Sequence, residues 1–173
     1  MVTGGGTIGL LTAVTAKAFG AVAVAVSDIV EERRAYALNC GVDSVLDPAH
    51  KNLLKQVQDI SGDGFDVIFE ASGARSALRQ AFDLVRPGGT IVQIGTLDNE
   101  DVPLPANQLM VKEIHFIGSF RYGNIFDEAI SLVESGRINL RPFITGVFSI
   151  NDINKAMNLA ADKVNALKVQ IQF

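Results

Sequence analysis

Gly4-Gly5-Gly6-Thr7-Ile8-Gly9 carries the spacing G-x-G-x-x-G, and an amphipathic pattern (Leu10, Leu11, Val14, Ala18) begins directly behind it. In a dinucleotide-binding turn each glycine has its own physical job. Gly4 permits the tight strand-to-helix turn, Gly6 lets the backbone approach a pyrophosphate, and Gly9 lets the helix pack closely on the sheet. The diphosphate would sit on the free N–H groups and positive dipole end of the helix that Thr7 and Ile8 open. Glycine clusters also make ordinary turns, so the motif needs an acidic residue about 20 positions on, at the end of a second strand. Asp28 meets that need: it closes the apolar run Ala21-Val22-Ala23-Val24-Ala25-Val26-Ser27, nineteen residues after Gly9. Its carboxylate can accept from both ribose hydroxyls and would repel a 2′-phosphate, which favours NAD over NADP. Arg33 and Arg34 pull the other way, because a nearby arginine can hold that phosphate.

Working outward, strand-like runs alternate with helical patterns, the signature of a parallel sheet with crossover helices. Strands are expected at Met1–Thr3, Ala21–Ser27, Ser44–Leu46, Phe65–Glu70, Thr90–Gly95 and Glu113–Gly118. Helices are expected at Thr7–Phe19, Val30–Asn39, His50–Ile60, Ser76–Val85 and Ile125–Ser135. The second strand is apolar at nearly every position, as when helices cover both faces. Arg86-Pro87-Gly88-Gly89 reads as a helix stop and turn, and Asp98 to Ala106, with Pro103 and Pro105, as a loop. From Phe143 the chain reads as strand, helix (Asn151–Ala161, capped by Asn151) and strand (Lys168–Phe173). Only Met1, Val2 and Thr3 precede the glycines, whereas a strand usually runs about five or six residues. That shortage leads us to expect a piece of a longer polypeptide.

Composition narrows the classes. The 173 residues are 48% hydrophobic and 20% charged, ordinary for a folded α/β domain. A net charge of −4 argues against nucleic-acid backbone binding, which needs clustered Lys and Arg. The longest apolar runs are too short to span a bilayer. Cys40 is the only cysteine, so no intrachain disulfide can form and a reducing cytoplasm is the expected setting. Taken singly, Cys40 reads as packing filler, His50 as solvated, His115 as a strand residue and Glu31-Glu32-Arg33-Arg34 as a solvated helix face.

The same residues support a family resemblance. Val2 to Leu11, Ser27-Asp28-Ile29-Val30-Glu31-Glu32-Arg33, Phe69-Glu70-Ala71-Ser72-Gly73, Gly118-Ser119-Phe120-Arg121-Tyr122 and Ala166-Leu167-Lys168-Val169 resemble the carboxy-terminal half of zinc-dependent medium-chain dehydrogenases/reductases. The Phe-Arg-Tyr segment and Arg141-Pro142 bring it nearest to the sorbitol and L-idonate 5-dehydrogenase branch. The resemblance implies a Rossmann-type doubly wound domain over residues 1–142 in strand order 3-2-1-4-5-6. It implies that residues 143–173 belong to a catalytic domain. It further implies that Asp28 holds the adenosine ribose, with Arg33 beside the adenine. Ala71, Ser72 and Gly73, with Ile94, Gly95 and Thr96, would line the path to the nicotinamide. Phe120 and Arg121 would lie near its ribose and carboxamide, and Arg121 and Tyr122 would face a polyol or sugar acid.

The departures matter equally. Family members hold catalytic zinc through a cysteine, a Gly-His-Glu segment and a further acid from an amino-terminal domain, and nothing here matches that set. One cysteine and two distant histidines, His50 and His115, offer no metal-ligand spacing. We therefore expect the NAD-binding half of an oxidoreductase, inactive alone, whose zinc lies in another domain. The strand Glu113–Gly118, with the loop Leu104 to Met110, is expected to join two copies into a homodimer or tetramer. Two rivals remain: an S-adenosylmethionine-dependent methyltransferase, and a non-catalytic nucleotide-sensing module.

Overall fold

The computed structural model describes residues 1–173. Its strands are β1 (Val2–Thr3), β2 (Ala25–Ser27), β3 (Ser44–Leu46), β4 (Phe65–Glu70), β5 (Val85–Gln93) and β6 (His115–Gly118). They form one parallel sheet in the order β3-β2-β1-β4-β5-β6. The crossovers are α1 (Thr7–Ala18), α2 (Glu31–Asn39), α3 (Leu53–Ser61), α4 (Arg75–Leu84) and the short α5 (Ala106–Val111), and α6 (Phe126–Glu134) follows the last strand. The expected doubly wound α/β fold and strand order are therefore present.

Alternation along the strands builds a core on each side of the sheet, because successive side chains point to opposite faces. Val2, Val24 and Val26 pack with Leu10 and Ala13 of α1 and Ala37 of α2. Met1 and Ala25 turn the other way, toward Leu53 and Val57 of α3 and Leu78 and Phe82 of α4. Residues after α6 enter a turn at Arg141–Phe143, then β7 (Ile144–Ser149), α7 (Ile153–Ala161) and β8 (Lys168–Gln172), a second, two-stranded parallel sheet. Phe143 is buried with the α1–α2 side of the core, and Leu167 packs against it.

Several local expectations are corrected. β2 is confined to its last three residues, and Val22 is 98% exposed rather than covered. Only Val2 and Thr3 lie beside it in β1, and β3 meets only Ala25 to Ser27, so Ala21 to Val24 have no strand to pair with. The helix expected from His50 begins at Leu53, the His50 ring instead accepting from the Asn52 N–H at 3.2 Å. Asn151 does not cap α7; its own N–H donates to the Ser149 hydroxyl in a preceding 3-10 turn. Arg86 to Gly89 form a bulge, since Phe65 pairs with Val85 but Val67 pairs with Thr90.

The outer edge also differs from expectation. Glu113 takes a φ of 52° and Ile114 is buried in the core, so the strand starts at His115. Residues 106–111, expected as loop, are helical, and Leu109 packs on the core. Phe116 stacks on Phe82 with ring centroids 5.8 Å apart. What faces outward at this edge is Met110, Val111 and Ile117. No helix is long and apolar enough to cross a membrane.

Candidate functional site

The strand order reverses between β1 and β4, and a cavity of about 550 Å³ opens at their carboxyl ends. In open α/β sheets that crevice is where ligands bind. Its wall takes in Thr3-Gly4 and Gly6 after β1, Ser27 to Val30 after β2, Pro48-Ala49 after β3 and Ala71-Ser72 after β4, with Ala77 and Gln80 of α4.

The glycine turn can exist only with these residues. Gly4 has a φ of 91°, and a Cβ there would sit 2.9 Å from the Ser72 Cα. Gly9 lies under the turn, and a Cβ on it would fall 1.9 Å from the Gly4 carbonyl oxygen. Helix α1 thus starts against the sheet with Gly6 as its N-cap and no side-chain cap. Its first-turn N–H groups lack partners within the helix, as at any helix start. That end is electropositive and suited to a diphosphate.

Asp28 is buried beside this turn. Its Oδ2 accepts the Gly5 N–H at 2.7 Å and its Oδ1 accepts the Val30 N–H at 2.8 Å. Each carboxylate oxygen keeps a further lone pair, so two ribose hydroxyls can still donate to it. Arg33 reaches the same place: Nη1 lies 3.9 Å from Asp28 Oδ2 and near Gly6, while Nε donates to the Lys163 carbonyl at 2.6 Å. Arg34 is turned away, donating to the Asp28 backbone carbonyl at 2.7 Å.

Of the expected site residues, Gly4, Gly6, Asp28, Arg33, Ala71 and Ser72 line the cavity. Thr7 and Ile8 head α1 beside it, Ile8 largely exposed, and Gly9 is buried beneath. Gly73, Ile94, Gly95 and Thr96 form an adjoining floor outside it. A Cβ on Gly73 would come within 2.4 Å of the Thr96 carbonyl, and one on Gly95 within 2.3 Å of the Gly73 nitrogen. Phe120, Arg121 and Tyr122 stand apart on the surface. Phe120 is 77% and Tyr122 71% exposed, with the Arg121 guanidinium 4.9 Å above the Phe120 ring.

Of the contributors that sequence reasoning missed, three stand out. Lys163 and Val164, far along the chain, line the cavity, and the segment they begin is tied down where Thr7 Oγ1 donates to the Leu167 carbonyl at 2.7 Å. The only local sign is Asp162, whose carboxylate takes the Val164 and Asn165 N–H groups in a tight turn. Glu70 is the third, fully buried at the end of β4. Elsewhere, Cys40 is half-buried and burial pushes its thiol upward, which fits packing better than reactivity. No three His, Cys, Asp or Glu side chains converge as metal ligands.

Comparison with known proteins places this geometry. The family profile described as zinc-binding dehydrogenase matches residues 7–135. A sorbitol dehydrogenase of Bombyx mori is 34% identical over 99% of this chain and 50% of its own length. Among solved structures, L-idonate 5-dehydrogenase from Escherichia coli superposes with a TM-score of 0.88 at 30% identity, over 99% of this chain and 49% of that one. A short chain alcohol dehydrogenase from E. coli CFT073, complexed with NADH, gives 0.88 at 26% identity over 99% of this chain and 51% of that one. The chain thus spans about half the length of these relatives.

Proposed function

Because this chain belongs to the zinc-binding dehydrogenase family, we propose that it is the NAD-binding half of an oxidoreductase acting on a secondary alcohol of a polyol or sugar acid. The observation that carries this reading is Asp28, a buried carboxylate held by two N–H groups at the mouth of the glycine turn. Bound NAD⁺ supplies the hydride acceptor. The chain's own residues hold and orient it. The start of α1 receives the diphosphate, Asp28 takes the adenosine ribose hydroxyls, and Arg33 guards the same end. Ala71–Gly73 and Ile94–Thr96 form the floor toward the nicotinamide, because backbone packed on backbone at Gly73 and Gly95 leaves a flat surface. Phe120 and Arg121 are assigned near the nicotinamide ribose and carboxamide, and Arg121 and Tyr122 to the substrate side. A single cysteine suits a reducing cytoplasm.

The work of this half is proximity and orientation, since the acidic and basic groups at the cavity are given to holding the cofactor and none is assigned to the chemical step. Purified chain is expected to bind NAD⁺ weakly, with a Kd of roughly millimolar order, about −4 kcal/mol. It is expected to hold less than stoichiometric zinc and to leave NAD⁺ unreduced with sorbitol or idonate. Calorimetric titration with NAD⁺ and S-adenosylmethionine, and metal analysis, check this. Tighter binding of S-adenosylmethionine would move the chain to methyl transfer, and turnover without a second domain would refute the half-enzyme reading.

Assembly is the second expectation. β6 has a neighbour only in β5, and an open apolar edge is a template for another strand. We assign it to a two-fold contact in a homodimer, the same surface used twice. Ile114 and Phe116 face the core, so the informative change is at Ile117, 53% exposed. Ile117→Lys should yield a folded monomer by sedimentation. A folded variant that keeps the dimer mass would show that the contact lies elsewhere.

A further inference from the structure

Glu70 is the one charged side chain with no exposure at all, and none of the ion pairs in the molecule involves it. Its partners are hydroxyls and amides. Thr3 Oγ1 donates at 3.1 Å from β1, the Ser72 N–H at 2.8 Å and the Gly73 N–H at 3.1 Å from the turn after β4, and the Ser72 hydroxyl adds a short contact. From β5, Gln93 Nε2 donates to its other oxygen at 2.6 Å. The Gln93 amide orientation is set by a second bond, since the same nitrogen also donates to the Gly95 carbonyl at 2.6 Å. Five groups thus donate to its two oxygens, the pattern that suits a carboxylate, which can only accept.

Three adjacent strand ends and two turns therefore converge on one buried negative charge balanced by dipoles alone. The layer that covers it is thin. A Cβ on Gly95 would approach Glu70 Oε2 to 2.8 Å, and Gly73 is bonded to it directly. Buried with no exposure, the charge is poorly screened, and its field reaches whatever lies on the Gly73–Gly95 floor. Resting on the reading above, that is the nicotinamide ring, which is cationic when oxidised and neutral when reduced.

We propose that Glu70 is a positioning residue whose charge shifts the balance of cofactor binding toward the oxidised form. Its hydrogen bonds shape the floor for both forms. Its charge distinguishes them.

The test is the ratio of the Kd values for NAD⁺ and NADH, from NADH fluorescence and displacement by NAD⁺. Glu70→Gln should weaken NAD⁺ about tenfold relative to NADH, because it removes the unit charge that attracts the cationic ring alone. Glu70→Asp should weaken both forms and leave the ratio within about twofold, since it keeps the charge and loses reach. Glu70→Gln turns an amide nitrogen toward the Ser72 and Gly73 N–H groups and could unfold the chain. Gln93→Lys is the second arm, placing an ammonium beside the carboxylate and neutralising it in place, with the same fall in ratio expected. A ratio unmoved in a folded Glu70→Gln or Gln93→Lys protein, or an equal loss for both forms, overturns the proposal. Wild-type chain that binds neither form would instead overturn the cofactor reading beneath it.

Discussion

Replacing Gly9 by alanine should lower the stability of this chain by about 3 kcal/mol or more, the upper range for overpacking a tight interior. Helix propensity alone says the opposite, because glycine to alanine inside a helix ordinarily gains about 1 kcal/mol. The sign reverses here because the added methyl has nowhere to go. Its position lies 1.9 Å from the Gly4 carbonyl oxygen, and that atom is backbone in a turn already committed to a φ of 91°. Either α1 lifts from the sheet, opening the contact of Leu10 and Ala13 with Val2 and Val26, or the glycine turn unfolds. Domains of this kind are stable by only about 5–15 kcal/mol, so Gly9→Val should leave little native protein. Urea denaturation of Gly9→Ala, with exposed Ile8→Ala as the control expected to move by at most about 0.5 kcal/mol, measures it. A variant as stable as the parent would mean that α1 does not approach the turn so closely.

Asp28→Ala should cost the cofactor at least about thirtyfold in affinity, roughly 2 kcal/mol, the scale of charge-assisted hydrogen bonds lost in a buried setting. Two losses combine. The ribose hydroxyls lose their acceptor, and the Gly5 and Val30 N–H groups lose the carboxylate that holds the turn in shape. The change should also erase discrimination. The parent is expected to bind NAD more tightly than NADP, because Asp28 repels a 2′-phosphate. Once the carboxylate is gone, Arg33 Nη1, now 3.9 Å from it, is free to meet that phosphate, and the preference should shift toward NADP by about tenfold or more. Titrating both proteins with both cofactors decides the matter. Parent chain that binds NADP as well as NAD would assign the ribose site to Arg33 and Arg34 instead.

The residues that sequence reading found at the cavity share one property: their meaning is local. Gly4, Gly6 and Asp28 stand in a short window, and a spacing of glycines before an amphipathic run specifies a strand, a turn and a helix. β3 and β4 were legible for the same reason, as apolar runs bounded by turn residues. β2 is shorter than its apolar run because hydrophobicity reports what could be buried and not whether a neighbouring strand is there to pair with it. With β1 only two residues long, Val22 has apolar character and no partner.

Sequence by itself thus determined the fold class, the strand order by family resemblance, and the glycine turn at the mouth of the cavity. Tertiary structure alone decided what completes the site. Glu70 reads locally as a polar strand end, and only the parallel pairing of β1, β4 and β5 brings Thr3 and Gln93 to either side of it. Lys163 carries no motif, yet its carbonyl meets Arg33 across 130 positions of chain. Local patterns encode the face a residue presents. They do not encode which distant segment arrives there, because that depends on how all the faces pack at once.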